Sequence, residues 1–177
     1  MILGYIFSII NYILYATGRF MKNKPAILFF CVLSLTTAAI SCFFFNSMSG
    51  FYSLMILVFF NIIAYFKAKK EFNKVLTYVI YIFTQILITL MSIYTFKGIS
   101  SIFCYISTTI AVFSVWWFNE QKIRIAGIFV CLFSFLYNLT IHNYIGILEL
   151  AIIASNIISY CVYNKKKLAV CNQEEYA

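Results

Sequence analysis

The apolar segments of this chain contain few side chains able to bind a polar group or exchange a proton, and Glu149 is the most unusual of them. It is the only acidic residue within an apolar run of the 177-residue sequence. An ionised carboxylate in hydrocarbon costs about 2 to 3 kcal/mol on insertion scales, so such a group faces the protein interior or a wet cavity. Asn138, near the end of the preceding run, lies at a similar depth and can hydrogen-bond to it. We interpret Glu149 as a gating or proton-linked residue; the alternative is a hydrogen-bonded packing residue near the surface.

Two asparagines occur in related contexts. The stretch Asn61-Ile62-Ile63-Ala64-Tyr65 matches Asn156-Ile157-Ile158-Ser159-Tyr160 at four of five positions, at an offset of 95 residues. Two amides at mid-depth supply the donors and acceptors that a small polar solute needs, or each holds its own bundle together by interhelical hydrogen bonds worth about 0.6 to 2 kcal/mol. Both interpretations stay open. The predicted substrate-binding residues are Asn61, Asn156, Tyr137 and Asn138, whereas Asn11 and Gln85, which lack a repeat counterpart, are assigned to helix packing.

Metal and covalent chemistry have little support in the sequence. It has one histidine, His142, and no aspartate, so a metal centre would have too few ligands. Its six cysteines show no C-x-x-C spacing and mostly lie in apolar runs, where a thiol acts as a small hydrophobe; they are Cys31, Cys42, Cys104, Cys131, Cys161 and Cys171. No helix carries a nucleophile and a base at catalytic spacing. We expect neither an enzyme nor a bound cofactor or metal.

The composition places these residues in a membrane protein. The chain is 64% hydrophobic and 10% charged, against about 25% charged in a soluble domain, which excludes a soluble fold and a disordered chain. Seven apolar runs are separated by polar or basic segments: 2–17, 25–45, 51–66, 75–96, 99–118, 123–141 and 144–163. A helix of roughly 20 residues crosses a hydrocarbon core about 30 Å thick, and only the first and third runs are short. The runs lack the alternating polarity of barrel strands, so they predict an all-α polytopic protein with seven transmembrane helices.

The basic residues predict the orientation. Twelve of the thirteen lysines and arginines fall on one side of the predicted bundle, and Lys97 is the exception: Arg19, Lys22, Lys24, Lys67, Lys69, Lys70, Lys74, Lys122, Arg124, Lys165, Lys166 and Lys167. Positively charged loops stay cytoplasmic, so the amino terminus is predicted outside and the carboxyl terminus inside. Topology and contact with anionic lipid account for the net charge of +8, and no nucleic-acid partner is expected. Arg124 is expected to snorkel to the inner interface.

Most of the aromatic residues near the run ends fit the aromatic belts of a membrane protein. Those near the inner ends are Tyr12, Tyr15, Tyr65, Trp116, Trp117, Tyr160 and Tyr163, and those near the outer ends are Tyr52, Tyr94 and Tyr144. Tyr137 is the one aromatic residue that we assign to a pocket.

The offset match divides the chain into two similar blocks. Three helices in 1–66 are followed by a basic loop and linker helix in 67–97, three helices in 98–164 and a cytosolic tail in 165–177. Because a three-helix block starts and ends on opposite sides, a second block in the same orientation requires one extra crossing, which run 75–96 supplies. The outer loops of the blocks are expected at 46–50 and 142–143. Parallel repeats of this kind occur in transporters with a site near the midplane.

The carboxyl-terminal third of the chain resembles a known family. The stretch Asn138-Leu139-Thr140-Ile141-His142-Asn143-Tyr144-Ile145-Gly146-Ile147-Leu148-Glu149, followed by Asn156-Ile157-Ile158, resembles the bacterial inner-membrane YgjV family. The resemblance carries over Asn138, Gly146, Glu149 and Asn156. Tyr137 stands where the family pattern has a histidine, so a histidine-based proton role is not expected. The resemblance implies a bacterial inner-membrane location.

The plan of three helices, one helix and three helices is similar to that of the PQ-loop and SWEET sugar-facilitator superfamily and of the nicotinamide riboside transporters. In the sugar facilitators an asparagine on the last helix of each block helps to line the central site, and Asn61 and Asn156 match those positions. The chain lacks a Pro-Gln pair, and its one proline, Pro25, falls in a predicted cytosolic loop. The nearest substitutes for the aromatic clamps of that superfamily are Phe44, Phe45 and Tyr137. Sugar is therefore not assigned as the substrate.

Two functions follow from the sequence. The first is a transporter or facilitator of a small polar solute, which works by alternating access between the two three-helix bundles. The alternative is a non-transporting binding or assembly module that retains the fold. The expected partners are the lipid bilayer and the solute, and a homo-oligomer is compatible with the sequence.

Overall fold

Seven α-helices make up the described part of the chain. The computed structural model describes residues 2–70, 72–96, 98–140 and 144–175, with side chains up to Asn164 except those of Met48 and Ser49. Lys97, the predicted outer loop at 142–143 and the side chains of the predicted tail lie outside the described residues. The helices are α1 (Ile2–Arg19), α2 (Lys24–Phe44), α3 (Met48–Lys69), α4 (Lys74–Tyr94), α5 (Ile99–Trp117), α6 (Glu120–Thr140) and α7 (Leu148–Glu175), and a 3-10 turn, Tyr144–Ile147, precedes α7.

The predicted all-helical membrane fold is confirmed, and each predicted run corresponds to one helix. Six helices, α2 to α7, are long and apolar enough to cross a membrane. The 18-residue α1 is not among these six, so its crossing stays a prediction. It packs along α2 and leaves apolar side chains such as Ile2 and Ile13 exposed, at 78% and 61%. In a membrane protein an apolar surface of this kind contacts lipid.

Several helix ends differ from the sequence prediction. The first outer loop was expected at 46–50, but α3 already begins at Met48, and Asn46 makes the turn with a positive φ of 55°. Asparagine tolerates that backbone region better than most residues. Pro25, expected in a loop, lies in the first turn of α2, where its missing N–H removes no helical hydrogen bond.

The helices pack in sequence order within each half of the chain. α2 lies between α1 and α3, and α6 lies between α5 and α7. The most extensive contacts between the two halves are those of α1 with α7 and of α3 with α5. α4 packs against α3 and α5 and so covers the outside of the second of these contacts. We refer to α1–α3 as the first block and to α5–α7 as the second block.

The main apolar core lies where α3, α4 and α5 meet. Phe60 and Trp116 pack with their ring centroids 4.9 Å apart, and Ile88 of α4 belongs to the same buried cluster. The indole N–H of Trp116 donates to the Thr77 carbonyl oxygen at 3.1 Å, which fastens α4 to α5. Trp116 is 2% exposed, so its assignment to the inner aromatic belt is wrong.

The basic ends of the helices gather at one end of the bundle, which we call the basic end. Lys24 Nζ donates to the Phe118 carbonyl oxygen at 2.8 Å, and Lys67 Nζ donates to that of Trp116 at 3.2 Å. Arg124 is 1% exposed and hydrogen-bonds to backbone of the loop after α1. The expected snorkelling of Arg124 is therefore wrong: its guanidinium is held by backbone carbonyl oxygens at the end of α1 and in the loop that follows.

Candidate functional site

A cavity of about 260 Å³ lies between the two blocks. Residues of α1, α2, α3, α5, α6 and α7 line it, and none of its described lining residues belongs to α4. Its walls carry hydroxyl and amide groups from both blocks, among them Ser34, Ser53, Ser107 and Thr108. Hence the polar side chains of these apolar helices converge on one internal space.

Four of the five predicted site residues line this cavity: Asn61, Tyr137, Asn138 and Glu149. Asn61 is 4% exposed and Asn138 is 9% exposed. Asn156, the fifth, is not among the lining residues and is fully buried. It lies behind Gly127, which does line the cavity: a Cβ added at Gly127 would be 2.8 Å from Asn156 Oδ1.

The Glu149 carboxylate links the two blocks. Among the described residues, the hydrogen bond to it comes from the Tyr12 hydroxyl of α1, at 3.3 Å, rather than from Asn138. The Cys131 thiol of α6 also lies beside the carboxylate. Because α7 starts at Leu148, Glu149 lies in its first turn, where the helix dipole favours negative charge. The carboxylate thus lies at the contact between α1 and α7.

The two repeat asparagines have the same local geometry. Asn61 Nδ2 donates to the Leu57 carbonyl oxygen at 2.8 Å, and Asn156 Nδ2 donates to that of Ile152 at 3.0 Å. The Oδ1 atoms of both asparagines are buried and have no hydrogen-bond partner among the described residues. A buried amide oxygen without a partner is costly, so both positions retain an unused acceptor.

Gly146 explains how Asn138 is placed. A Cβ at Gly146 would overlap the Asn138 side chain, so the 3-10 turn before α7 can approach α6 only with glycine there. Asn138 Nδ2 donates to the Ser134 carbonyl oxygen at 2.9 Å. Each asparagine of the second block thus packs against a glycine. Gly127 contacts Asn156 behind the cavity wall, and Gly146 contacts Asn138 on the wall.

Hydrogen bonds between neighbouring helices fasten each block internally. In the first block Ser34 donates to Asn11 Oδ1 at 2.5 Å, and Ser8 and Ser41 share a bond at 2.7 Å. In the second block Ser107 and Ser134 share a bond at 3.0 Å. The packing role predicted for Asn11 agrees with its bond to α2, although Asn11 also lines the cavity.

Three residues of α1 that the sequence does not single out as site residues also line the cavity: Tyr12, Tyr15 and Arg19. The two tyrosines were assigned to the inner aromatic belt, and that assignment is wrong. Arg19 was counted only as a topological marker, yet it is 4% exposed. A signal was present in the sequence: spacings of three and four residues place all three side chains on one face of a helix.

Four free cysteines also line the cavity: Cys31, Cys42, Cys104 and Cys131. Cys161 of α7 is exposed on the outside of the bundle. Within the described part of the chain, no three histidine, cysteine or acidic side chains are grouped so that they could hold a metal ion.

The comparisons with known proteins agree with the membrane fold. Residues 2–167 match the Imp-YgjV family, described as bacterial inner membrane proteins. No curated protein and no solved structure matches the chain. The match extends well beyond the carboxyl-terminal third in which the resemblance was first found, and it covers all of the cavity-lining residues. The chain therefore belongs to the Imp-YgjV family and is an integral protein of the bacterial inner membrane.

Proposed function

We propose that the protein is a transporter or facilitator of a small polar solute, which the cavity between the two blocks binds and which alternating access moves across the inner membrane. The observation that carries the proposal is the shared polar cavity: all six helices of the two blocks line it, and the linker helix does not. A bundle that only anchored itself in lipid would gain nothing from directing Asn61 and Glu149 into one internal space.

The contacts between helices support a parallel repeat. If the two blocks exchange places, α1 becomes α5 and α3 becomes α7, so the α1–α7 contact becomes the α5–α3 contact. Both contacts occur. The matching geometry of Asn61 and Asn156 fits the same symmetry. The proposal includes this plan of three, one and three helices, with seven crossings and the basic end in the cytoplasm, and it places the chain near the PQ-loop and SWEET architecture.

In the proposed mechanism Asn61, Tyr137 and Asn138 bind the solute from the cavity wall. Asn156 supports the wall from behind Gly127. Glu149 acts as a gate, because its bond with Tyr12 joins the blocks where they must separate. The proposed activity forms no covalent intermediate and is not enzymatic.

The first experiment measures flux in proteoliposomes of a solute identified by thermal-stabilisation screening. Asn61→Leu and Asn156→Leu should each abolish flux while expression in the membrane is kept. Gln85→Leu is the matched control, because Gln85 is an amide within α4 that does not line the cavity; it should retain flux. Flux that survives both Asn61→Leu and Asn156→Leu would show that the site is assigned incorrectly.

The alternative function, a non-transporting binding or assembly module, requires a closed and dry bundle, and cysteine accessibility separates the two. In a cysteine-free background, single cysteines restored at positions 42 and 104 lie on the cavity wall, and one at 161 lies on the outer surface. Transport predicts that a water-soluble thiol reagent labels positions 42 and 104. The absence of labelling from either side of the membrane would favour the non-transporting module.

A further inference from the structure

We propose that Arg19 is the binding group for an anion, a carboxylate or phosphate group, at the basic end of the cavity. The site concerns binding and stands on its own geometry; its use in transport rests on the proposed function. Arg19 lines the cavity and is 96% buried, since its exposed fraction is 4%.

The side chain points into the protein. Side chains on a helix tilt toward its amino terminus, and Arg19 is the last residue of α1, so the guanidinium is directed back along the helix. It hydrogen-bonds to the Tyr15 hydroxyl one turn earlier, and its Cζ lies 4.2 Å from the centroid of the Tyr15 ring. The group therefore lies beside the cavity and not on the outer surface of the bundle.

Two of the three guanidinium nitrogens have no hydrogen-bond partner among the described residues. Nε and Nη1 of Arg19 are buried, and their N–H groups donate to no described acceptor. Titratable side chains near it are those of Tyr15, Cys31 and Cys131, and none of these three is a carboxylate. Arg124 adds a second positive charge close by. A buried charge without a counter-ion costs several kcal/mol, so the site is complete only when an anion occupies it.

Two structural roles explain the arginine less well. A cation that marks topology is solvated, as Lys22 is three residues further on, where the side chain is exposed. A cation that caps helix ends donates to backbone carbonyl oxygens, as Arg124 does with those of Arg19 and Met21. Arg19 is neither solvated nor engaged with backbone through its Nε and Nη1 atoms.

The chemistry and the volume define the ligand class. Guanidinium nitrogens bind carboxylate and phosphate oxygens through charge-assisted hydrogen bonds, and a cavity of about 260 Å³ holds a small molecule. The anionic group can belong to a free solute or to the headgroup of a lipid from the adjacent leaflet. Tyr12, which bonds to Glu149, lies seven residues before Arg19 on α1, about 10 Å by helical rise, so a solute anchored at Arg19 reaches toward the proposed gate.

The test uses the purified full-length protein in an uncharged detergent at fixed ionic strength. The midpoint of thermal unfolding is followed as sodium phosphate, sodium acetate or dispersed phosphatidylglycerol replaces sodium chloride. For the wild type we expect at least one of these probes to raise the midpoint. In Arg19→Gln the affinity for that probe should fall about tenfold or more, the loss expected for one charge-assisted hydrogen bond. Lys22→Gln removes the same charge from an exposed position and should bind as the wild type does.

The outcomes separate the sources of the anion. If phosphate or acetate raises the unfolding midpoint in a way that depends on Arg19, the anion belongs to a free solute. If phosphatidylglycerol alone does so, the anion belongs to a lipid headgroup. If Arg19→Gln does not fold, Arg19→Lys serves, because it keeps the charge but loses the planar donor geometry and should bind more weakly. If no probe gives a shift that depends on Arg19, the anion site is overturned.

The two proposals can fail separately. A shift that depends on Arg19, in a protein that moves no solute in proteoliposomes, would leave the anion site standing and remove the transport function. If Arg19→Gln leaves both the solute flux and the unfolding-midpoint shifts caused by the probes unchanged, the anion site is removed and transport stands.

Discussion

Arg124, the fifth residue of α6, donates from Nε to the carbonyl oxygen of Arg19, the last residue of α1, at 3.1 Å. The same guanidinium donates to the Met21 carbonyl oxygen at 2.7 Å. A cation is unfavourable at the amino end of its own helix and favourable at the carboxyl end of another, so the neighbouring α1 explains the position of Arg124. Lys24, in the first turn of α2, caps the end of α5 at Phe118 in the same way. The second helix of each block thus caps the first helix of the other.

Replacing Arg124 by glutamine should lower the free energy of unfolding by about 2 to 4 kcal/mol, because the carbonyl oxygens at the carboxyl end of α1 lose a charged donor. The measurement is the unfolding transition in detergent micelles. Lys122→Gln is the matched control, since it removes the same charge from an exposed position two residues away, and it should change stability by less than about 0.5 kcal/mol. Equal effects of the two changes would contradict the capping role.

Removing the Tyr12 hydroxyl should weaken the contact between α1 and α7. Tyr12→Phe loses the bond to Glu149, and we expect the free energy of unfolding to fall by about 0.5 to 1.5 kcal/mol. Tyr5→Phe makes the same change on the exposed side of α1 and should have a smaller effect. A loss as large in Tyr5→Phe would show that the Glu149 bond does not contribute.

The effect of Gly127→Ala on the free energy of unfolding should change sign when Asn156 is also replaced. Alanine is normally favoured over glycine within a helix by about 1 kcal/mol, but a Cβ at Gly127 would lie 2.8 Å from Asn156 Oδ1. Gly127→Ala should therefore destabilise the wild type by about 1 to 3 kcal/mol and stabilise an Asn156→Ala variant. The four unfolding free energies of this double-mutant cycle measure the coupling. Additive changes would contradict the close contact between the two residues.

Replacing Asn61 by leucine should separate stability from function. Because Asn61 Oδ1 has no partner among the described residues, Asn61→Leu should leave the free energy of unfolding within about 1 kcal/mol of wild type, or raise it. Asn11→Leu removes an amide oxygen that accepts from Ser34 and should lower stability by about 1 kcal/mol. If Asn61→Leu destabilises as much as Asn11→Leu, Asn61 is a packing residue and the alternative interpretation of the repeat asparagines holds.

The helices could be predicted from the sequence because length and hydropathy alone specify a membrane helix. Their ends could not. α6 begins at Glu120, three residues before the apolar run at 123, because polar side chains can accept from the free N–H groups of a first turn, as Asn119 Oδ1 accepts from the Lys122 N–H. α3 likewise begins before its apolar run, at Met48. Only caps and contacts with other helices define these boundaries.

The candidate site was predictable to the extent that its residues are costly in lipid. Asn61, Asn138 and Glu149 stand out because a polar group in an apolar run must find an interior position, and all three line the cavity. Arg19 did not stand out, because a cation at the end of a run has the same sequence pattern whether it is solvated or buried. Asn156 lies behind the cavity wall because Gly127 approaches it, and a contact between two helices is not encoded in the pattern of either one.

Because α4 packs on one side of the molecule only, the two contacts between the blocks differ in how much apolar packing supports them. On one side, Ile88 of α4 shares a buried core with α3 and α5, and Trp116 is bonded to the α4 backbone. On the other side, the Tyr12–Glu149 hydrogen bond joins α1 to α7. A second hydrogen bond runs from the Tyr163 hydroxyl of α7 to the carbonyl oxygen of Phe20, just after α1. Because the cost of separating helices grows with the apolar area exposed or left unpacked, we expect the block movement of the proposed transport cycle to pivot about α4. In that cycle α4 would be the hinge, and the edge between α1 and α7 would be the one that opens.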